Sequence, residues 1–158
     1  TYSITFLNAH PAMKATVFDF PPVIEIGKEE VAKAGLKDRV SFIPGDMTQD
    51  DLGSGYDFIL ISNIIHSFGP DMNREIIRKC YRALDTGGML VIQDFLVDND
   101  RTGPAFGLMF ALNMLVNTQD GDTYTFAEVE QWTDEAGFVS GHTYDLTPQT
   151  RLWTCEKP

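Results

Sequence analysis

His66 follows the apolar run Tyr56-Asp-Phe-Ile-Leu-Ile-Ser-Asn63 after only Ile64 and Ile65. The run reads as a strand, so the imidazole falls just past its carboxyl end, the edge of an open α/β sheet at which ligands bind. Imidazole titrates closest to neutrality and can accept a proton without a large environmental shift. A lone histidine can equally cap a loop, so its company matters. Asp19 ends the strand-like stretch Lys14-Ala-Thr-Val-Phe-Asp-Phe20, and Asp46 with Met47 follows the stretch Arg39-Val-Ser-Phe-Ile43. Three successive strand ends thus present Asp19, then Asp46 with Met47, then the Ser62 to His66 segment, and these side chains can converge on one rim of a parallel sheet. An acid after the second strand of such a fold can accept both ribose hydroxyl protons. An acid after the third can meet an exocyclic amine beside an apolar cover, here Met47. Singly, each aspartate is ordinarily a turn or cap residue. Their order on consecutive strands makes a nucleoside site the stronger reading.

The elements that must carry these residues alternate between strand and helix patterns at short spacing, which indicates an α/β class. Tyr2 to Asn8 reads as a short helix. Pro21-Pro22 fit the first turn of a helix running from Val23 to Ala34, which Gly35 closes. Pro44-Gly45-Asp46 reads as a turn. Tyr56 to Ser62 is apolar enough for a strand covered on both faces, Asn73 to Leu84 has helical spacing, Asp85-Thr-Gly-Gly88 is a turn, and Met89 to Phe95 is another buried strand. Gly103 to Val116 then reads as an inserted apolar helix with Phe106, Met109, Phe110 and Met114 at near-helical spacing. A helix from Phe126 to Ala136 is framed by Thr125 and Gly137. Phe138 to Asp145 and Leu152 to Cys155 complete an antiparallel hairpin.

Twelve basic against 23 acidic side chains give a formal charge of −11 with no basic stripe, so nucleic acid is not an expected partner. No apolar stretch reaches membrane-spanning length and no signal-peptide pattern opens the chain, from which a cytoplasmic protein with no membrane partner is expected. At 158 residues, one domain is the default. Cys80 and Cys155 form neither a CxxC pair nor a Cys/His cluster, so neither structural zinc nor a disulfide framework is expected. A nicotinamide enzyme would share the ribose acid but also needs a Gly-rich strand-to-helix loop before it, which these residues lack. The chain begins with helix-like sequence, so a first strand and its loop are expected upstream.

These residues resemble the small-molecule O-methyltransferases that depend on S-adenosylmethionine, the caffeic-acid and hydroxyindole type with its bacterial relatives. Val17-Phe-Asp-Phe-Pro21 resembles the family's ribose-binding segment, which puts that role on Asp19. Gly45-Asp-Met47 resembles the adenine-contacting segment, falling on Asp46 and Met47. Ser62-Asn-Ile-Ile-His-Ser-Phe68 resembles the stretch holding the general base, which places it on His66 and gives Ser62 and Asn63 to the cofactor side. Asp94 in Val91-Ile-Gln-Asp94 corresponds to an acid that orients that histidine. The inserted helix resembles the acceptor-pocket helix, with Phe110, Met114 and Asn117 as substrate-binding candidates.

The resemblance implies a Rossmann-like class I methyltransferase sheet with a C-terminal antiparallel hairpin. Residues 1–158 would be a partial S-adenosylmethionine-binding catalytic domain, with the first strand, the Gly-rich loop and an N-terminal helical dimerisation domain outside it. It also implies methyl transfer to a hydroxyl of a small aromatic acceptor, S-adenosylhomocysteine as product, no metal, and a homodimeric full-length protein. Two departures stand out. Ser62 and Ser67 occupy positions where plant members carry Lys and Asp, and Thr123 in Asp120-Gly-Asp-Thr-Tyr-Thr125 falls where a second acid flanks the histidine. Support for the base is thinner, which leaves C-methylation, or a non-catalytic binding or dimerisation module, as alternatives. His10 and His142 match no motif and read as surface or packing residues.

Overall fold

In the computed structural model, which describes residues 1–158, the chain divides into two compact units, Thr1–Leu52 and Gly53–Pro158. The first contains α1 (Tyr2–Ala9), β1 (Ala15–Asp19), α2 (Pro21–Lys33) and β2 (Val40–Pro44). β1 and β2 are parallel, with Ala15 opposite Val40 and Asp19 opposite Pro44, so both strands end on the same edge. Their core is Leu7, Val31, Leu36 and Val40, with Ile4, Met13, Ala15, Val17 and Phe42 packed around it. Arg39 ties the end of α1 to this core, because its guanidinium donates to the carbonyl oxygens of Leu7, His10 and Met13 at 3.0, 2.6 and 2.8 Å. Arg39 therefore sits in a 3-10 turn just ahead of β2, where its side chain serves the loop, rather than opening the strand as expected.

The second unit holds a four-stranded sheet in the order β3 (Tyr56–Ser62), β4 (Leu84–Asp94), β6 (Arg151–Glu156) and β5 (Val139–Asp145). β3 and β4 are parallel, and the β5–β6 hairpin adds antiparallel to β4, as anticipated. β4 is the spine. Leu90, Val91, Ile92, Gln93 and Asp94 are all buried, and each fully buried Leu or Ile side chain there contributes about 2 kcal/mol. The Asp85 to Gly88 stretch, expected as a turn, joins β4 as an irregularity: Tyr56 pairs with Leu84 and Phe58 next with Met89, while Gly87 takes a φ of +80°.

α3 (Pro70–Ala83) starts three residues before the expected Asn73, because Pro70 is well suited to a first helical turn and Gly69 caps it. α5 (Phe126–Ala136) matches its expected bounds. Thr125 and Glu128 form a reciprocal capping box, and Gly137 ends the helix at a left-handed φ of +102°. α3 and α5 pack together, with Arg74 paired to Glu135 at 3.0 Å and Tyr124 edge-on to Trp132. α4 (Ala105–Asn117) is the inserted apolar helix; Met114 is buried, whereas Met109, Leu112, Leu115 and Val116 are exposed. Cys80 on α3 and Cys155 on β6 are free thiols, both buried, and burial pushes each up to about 12. No helix is long and apolar enough to cross a membrane.

Candidate active site

The segment carrying His66 leaves β3 through a sharp change of direction. Asn63 adopts a left-handed φ of +55°, and its N–H still donates to the Gln93 carbonyl at 2.9 Å, so pairing with β4 lasts one residue past the strand. Asparagine tolerates this backbone region better than the β-branched residues around it. A single 3-10 turn, Ile65–Ser67, follows, anchored by the fully buried Ile65. This places His66 at the carboxyl end of β3, while Asp94 is the last residue of the neighbouring parallel strand β4.

The two side chains meet there. His66 Nδ1 lies 2.7 Å from Asp94 Oδ1, with Asp94 only 2% exposed. The same carboxylate also accepts the backbone N–H of Phe95 at 2.8 Å and that of His66 at 3.4 Å. A carboxylate can only accept, so it takes a hydrogen bond from Nδ1–H, which leaves the lone pair of the neutral ring on Nε2. The imidazole ring is walled by aromatics: Phe110 stands edge-on at 5.0 Å between centroids, Phe95 lies at 5.7 Å, and Phe106 and Phe110 both pack on Phe95.

Of the residues singled out from sequence, the structure brings together His66, Asp94 and Phe110. Ser62 and Asn63 stand beside them in the chain, with the Ser62 hydroxyl donating to Gln93 Oε1. Asn117 is exposed, and its amide turns back onto Asn113 in the same helix. Thr123 is buried with no hydrogen-bond partner on Oγ1, so Asp94 is the only side-chain bonding partner of the imidazole. His10 and His142 are exposed.

In the first unit, Asp19 and Asp46 occupy adjacent strand ends. Asp19 Oδ1 accepts the Phe20 N–H at 2.8 Å, and its backbone carbonyl accepts the Gly45 N–H at 3.0 Å. Asp46 follows directly; its Oδ1 takes the Thr48 N–H and hydroxyl, and its Oδ2 takes the Gln49 amide at 3.1 Å. Both carboxylates are oriented by these local bonds. A Cβ on Gly45 would lie 2.7 Å from the Phe18 ring, so the chain turns tightly there. No group of three or more His, Cys, Asp or Glu side chains is gathered that could hold a metal ion.

Sequence reasoning missed three contributors. Phe95 follows Asp94 and looks like ordinary strand apolarity, yet it faces the imidazole. Asn73 looks like a helix-surface residue, but it is fully buried and its amide donates to the Ile65 and Phe68 carbonyls at 2.9 and 3.0 Å. An uncharged Asn inside an otherwise charged, amphipathic helix was the available signal. Tyr124, one residue before the α5 cap, donates its hydroxyl to the Phe68 carbonyl; burial, with Asp122 and Glu128 adding to it, pushes the phenol up to about 12 and keeps it a donor.

With this geometry in view, comparison with known proteins gives a consistent result. The O-methyltransferase domain profile matches residues 3–139. The chain belongs to the O-methyltransferase family. Among curated relatives of this O-methyltransferase chain, the 3-hydroxy-5-methyl-1-naphthoate 3-O-methyltransferase of Streptomyces sahachiroi is 38% identical over 85% of the chain and 39% of the relative. Among solved structures, an O-methyltransferase family 2 protein from Planctomyces limnophilus in complex with apigenin superposes with a TM-score of 0.92 at 28% identity, covering 99% of this chain and 47% of that one. PigF with SAH, 26% identical, gives a TM-score of 0.88 over 98% of this chain and 46% of that one. The chain thus spans about two-fifths to one-half of the length of these relatives. The α/β architecture expected from sequence, with its closing hairpin, is the one these neighbours share.

Proposed function

We propose that this chain is part of the catalytic domain of an S-adenosylmethionine-dependent O-methyltransferase acting on a hydroxyl of a small aromatic acceptor. The carrying observation is the 2.7 Å contact of His66 Nδ1 with the buried Asp94 at the ends of two parallel strands. Names of the relatives add support: one acts on a hydroxynaphthoate, one was solved with apigenin and one with SAH.

The residues fit such a cofactor. In the first unit Asp19 retains an oxygen without a partner for a ribose hydroxyl, and Asp46 presents an oriented carboxylate with Met47 beside it in the chain; in the second, Ser62 and Asn63 are the residues that the resemblance assigns to the cofactor. S-adenosylmethionine supplies a methyl group on a sulfonium, which needs no further activation. This chain's own task is to ready the acceptor. His66 accepts the hydroxyl proton on Nε2 as the oxygen becomes nucleophilic; Asp94 holds Nδ1–H and offsets the positive charge that forms on the ring. Phe110, Phe106 and Phe95 provide an apolar aromatic wall against which a planar acceptor packs and from which water is excluded. Met114 and Asn117 belong to the same acceptor-side reading. A homodimeric, cytoplasmic full-length protein completes it and is carried by the family resemblance.

Calorimetry with S-adenosylmethionine on the intact protein, followed by labelled-methyl transfer to a panel of hydroxynaphthoates and flavonoids, tests the reading. Cofactor binding and label on an acceptor oxygen are expected. Absence of binding would sink it, and label recovered on carbon would replace it with C-methylation.

A further inference from the structure

Two buried polar side chains outside the His66–Asp94 pair converge on the short turn that carries the imidazole. Asn73, fully buried on α3, donates both hydrogens of its amide, one to the Ile65 carbonyl and one to that of Phe68. These are the residues on either side of His66-Ser67. Tyr124 donates to the same Phe68 carbonyl at 2.5 Å, and its own backbone carbonyl accepts the Val97 N–H at 3.0 Å. Val97 lies three residues past Asp94, and a parallel bridge joins it to Thr125. Tyr124 therefore touches both segments of the pair: the turn holding the base through its side chain, and the chain leaving the acid through its backbone.

Such bonds are more than generic packing. Within the turn the Ile65 carbonyl accepts only the Phe68 N–H, at 3.3 Å, and no turn N–H reaches the Phe68 carbonyl, so the two side chains supply donors that the short turn does not. Asn73 Oδ1 is itself buried and unpartnered, a cost the fold tolerates in holding the amide hydrogens toward the turn. An imidazole in line with a carboxylate at 2.7 Å is sensitive to shifts of a few tenths of an ångström in either backbone.

We propose that Asn73 and Tyr124 are positioning residues that fix His66 against Asp94 and so select the Nδ1–H tautomer of the base. As a role in catalysis this rests on the O-methyltransferase reading; as a statement about the imidazole it does not. The test is the long-range ¹H–¹⁵N spectrum of the histidine rings in the intact protein, with His66→Gln assigning the signals. Wild type should show His66 protonated on Nδ1 when neutral. Tyr124→Phe, which removes one oxygen, and Asn73→Ala should shift the neutral ring toward the Nε2–H form and reduce kcat about 10- to 100-fold, with the S-adenosylmethionine Kd unchanged. His66 signals that coincide with wild type in folded Tyr124→Phe overturn the proposal, even if turnover falls. If Asn73→Ala does not fold, Tyr124→Phe alone decides. A shifted tautomer in a protein that methylates no acceptor supports the positioning role and overturns the O-methyltransferase reading instead.

Discussion

Phe110 meets His66 edge to face, with ring centroids 5.0 Å apart and planes inclined at 81°. Because Phe110 also packs on Phe95 at 4.3 Å, it is held by the same aromatic cluster that lies against the imidazole. Phe110→Ala should open the acceptor side and leave the His66–Asp94 contact in place. A rise in acceptor KM of about tenfold or more is expected, with cofactor affinity unaltered, since removing an aromatic contact of this kind costs on the order of 1.5 kcal/mol beyond lost area. Steady-state kinetics with a hydroxynaphthoate, alongside calorimetry, read both quantities.

Asp94→Asn keeps the shape of the buried side chain but can turn its amide toward Nδ1 and impose the wrong tautomer. Turnover should drop by about 10² or more, approaching the loss in His66→Gln, and neither change should affect cofactor binding. An Asp94→Asn protein with near-normal kcat would remove Asp94 from the role of orienter.

Gly121 is wedged against the turn that carries His66: a Cβ there would meet the His66 carbonyl oxygen and lie 3.2 Å from the Ser67 carbonyl carbon. Both contacts are backbone, so the turn itself must move to admit a methyl group. Gly121→Ala should therefore lower kcat more than its small volume suggests, together with a reduced unfolding midpoint, while Gly35→Ala, which meets no atom within 4 Å, should disturb only local backbone at its φ of +72°. Comparing kcat of the two variants isolates the close approach.

Alkaline stability follows from three buried acids. Cys80 and Cys155 rise from 9.0 to about 12 and Tyr124 from 10.0 to about 12, each chiefly through burial. In the unfolded chain the thiols ionise near 9, in the folded one near 12, so between these values the folded state binds more protons and loses stability as pH rises. The contribution is fully present below about pH 9 and declines above it by about 1.4 kcal/mol per pH unit per group. Urea midpoints measured under reducing conditions should be flat from pH 7 to 8.5 and fall beyond. The double substitution Cys80→Ala with Cys155→Ala should flatten that decline.

Thr125→Ala removes one half of the capping box on α5. The Glu128 backbone N–H loses its acceptor, and Glu128, which also pairs with Arg101 at 2.9 Å, loses a hydroxyl donor. A cost of about 1 kcal/mol is expected, seen as a fall in Tm of roughly 2–4 °C by calorimetry.

Much of this was legible in the sequence because the decisive patterns are local. The Tyr56–Ser62 strand and the Phe126–Ala136 helix are bounded by their own residue chemistry, apolar continuity in one case and Thr125 with Gly137 in the other. His66 and Asp94 were paired in advance only through the family resemblance of their segments; the structure seats them at the ends of adjacent parallel strands. What escaped depends on long-range partners. Asn73 and Tyr124 reach the His66 turn across 5 to 8 and 56 residues of chain respectively, and no periodicity reports such bonds. Arg39 was read as strand because its role, gathering three carbonyls from residues 7 to 13, exists only once α1 has folded back.

The enclosure of His66 also governs how a catalytic cycle would end. One nitrogen is committed to Asp94, and the ring is packed between Phe95 and Phe110, so it cannot rotate end over end to hand a proton inward. In the proposed reaction a proton picked up on Nε2 must leave from that same nitrogen, because Nδ1 is held by Asp94. A methylated product still lying against Phe110 would cover that nitrogen. Resetting of the base would then wait for product departure, which links the pace of successive cycles to how quickly the aromatic wall lets go.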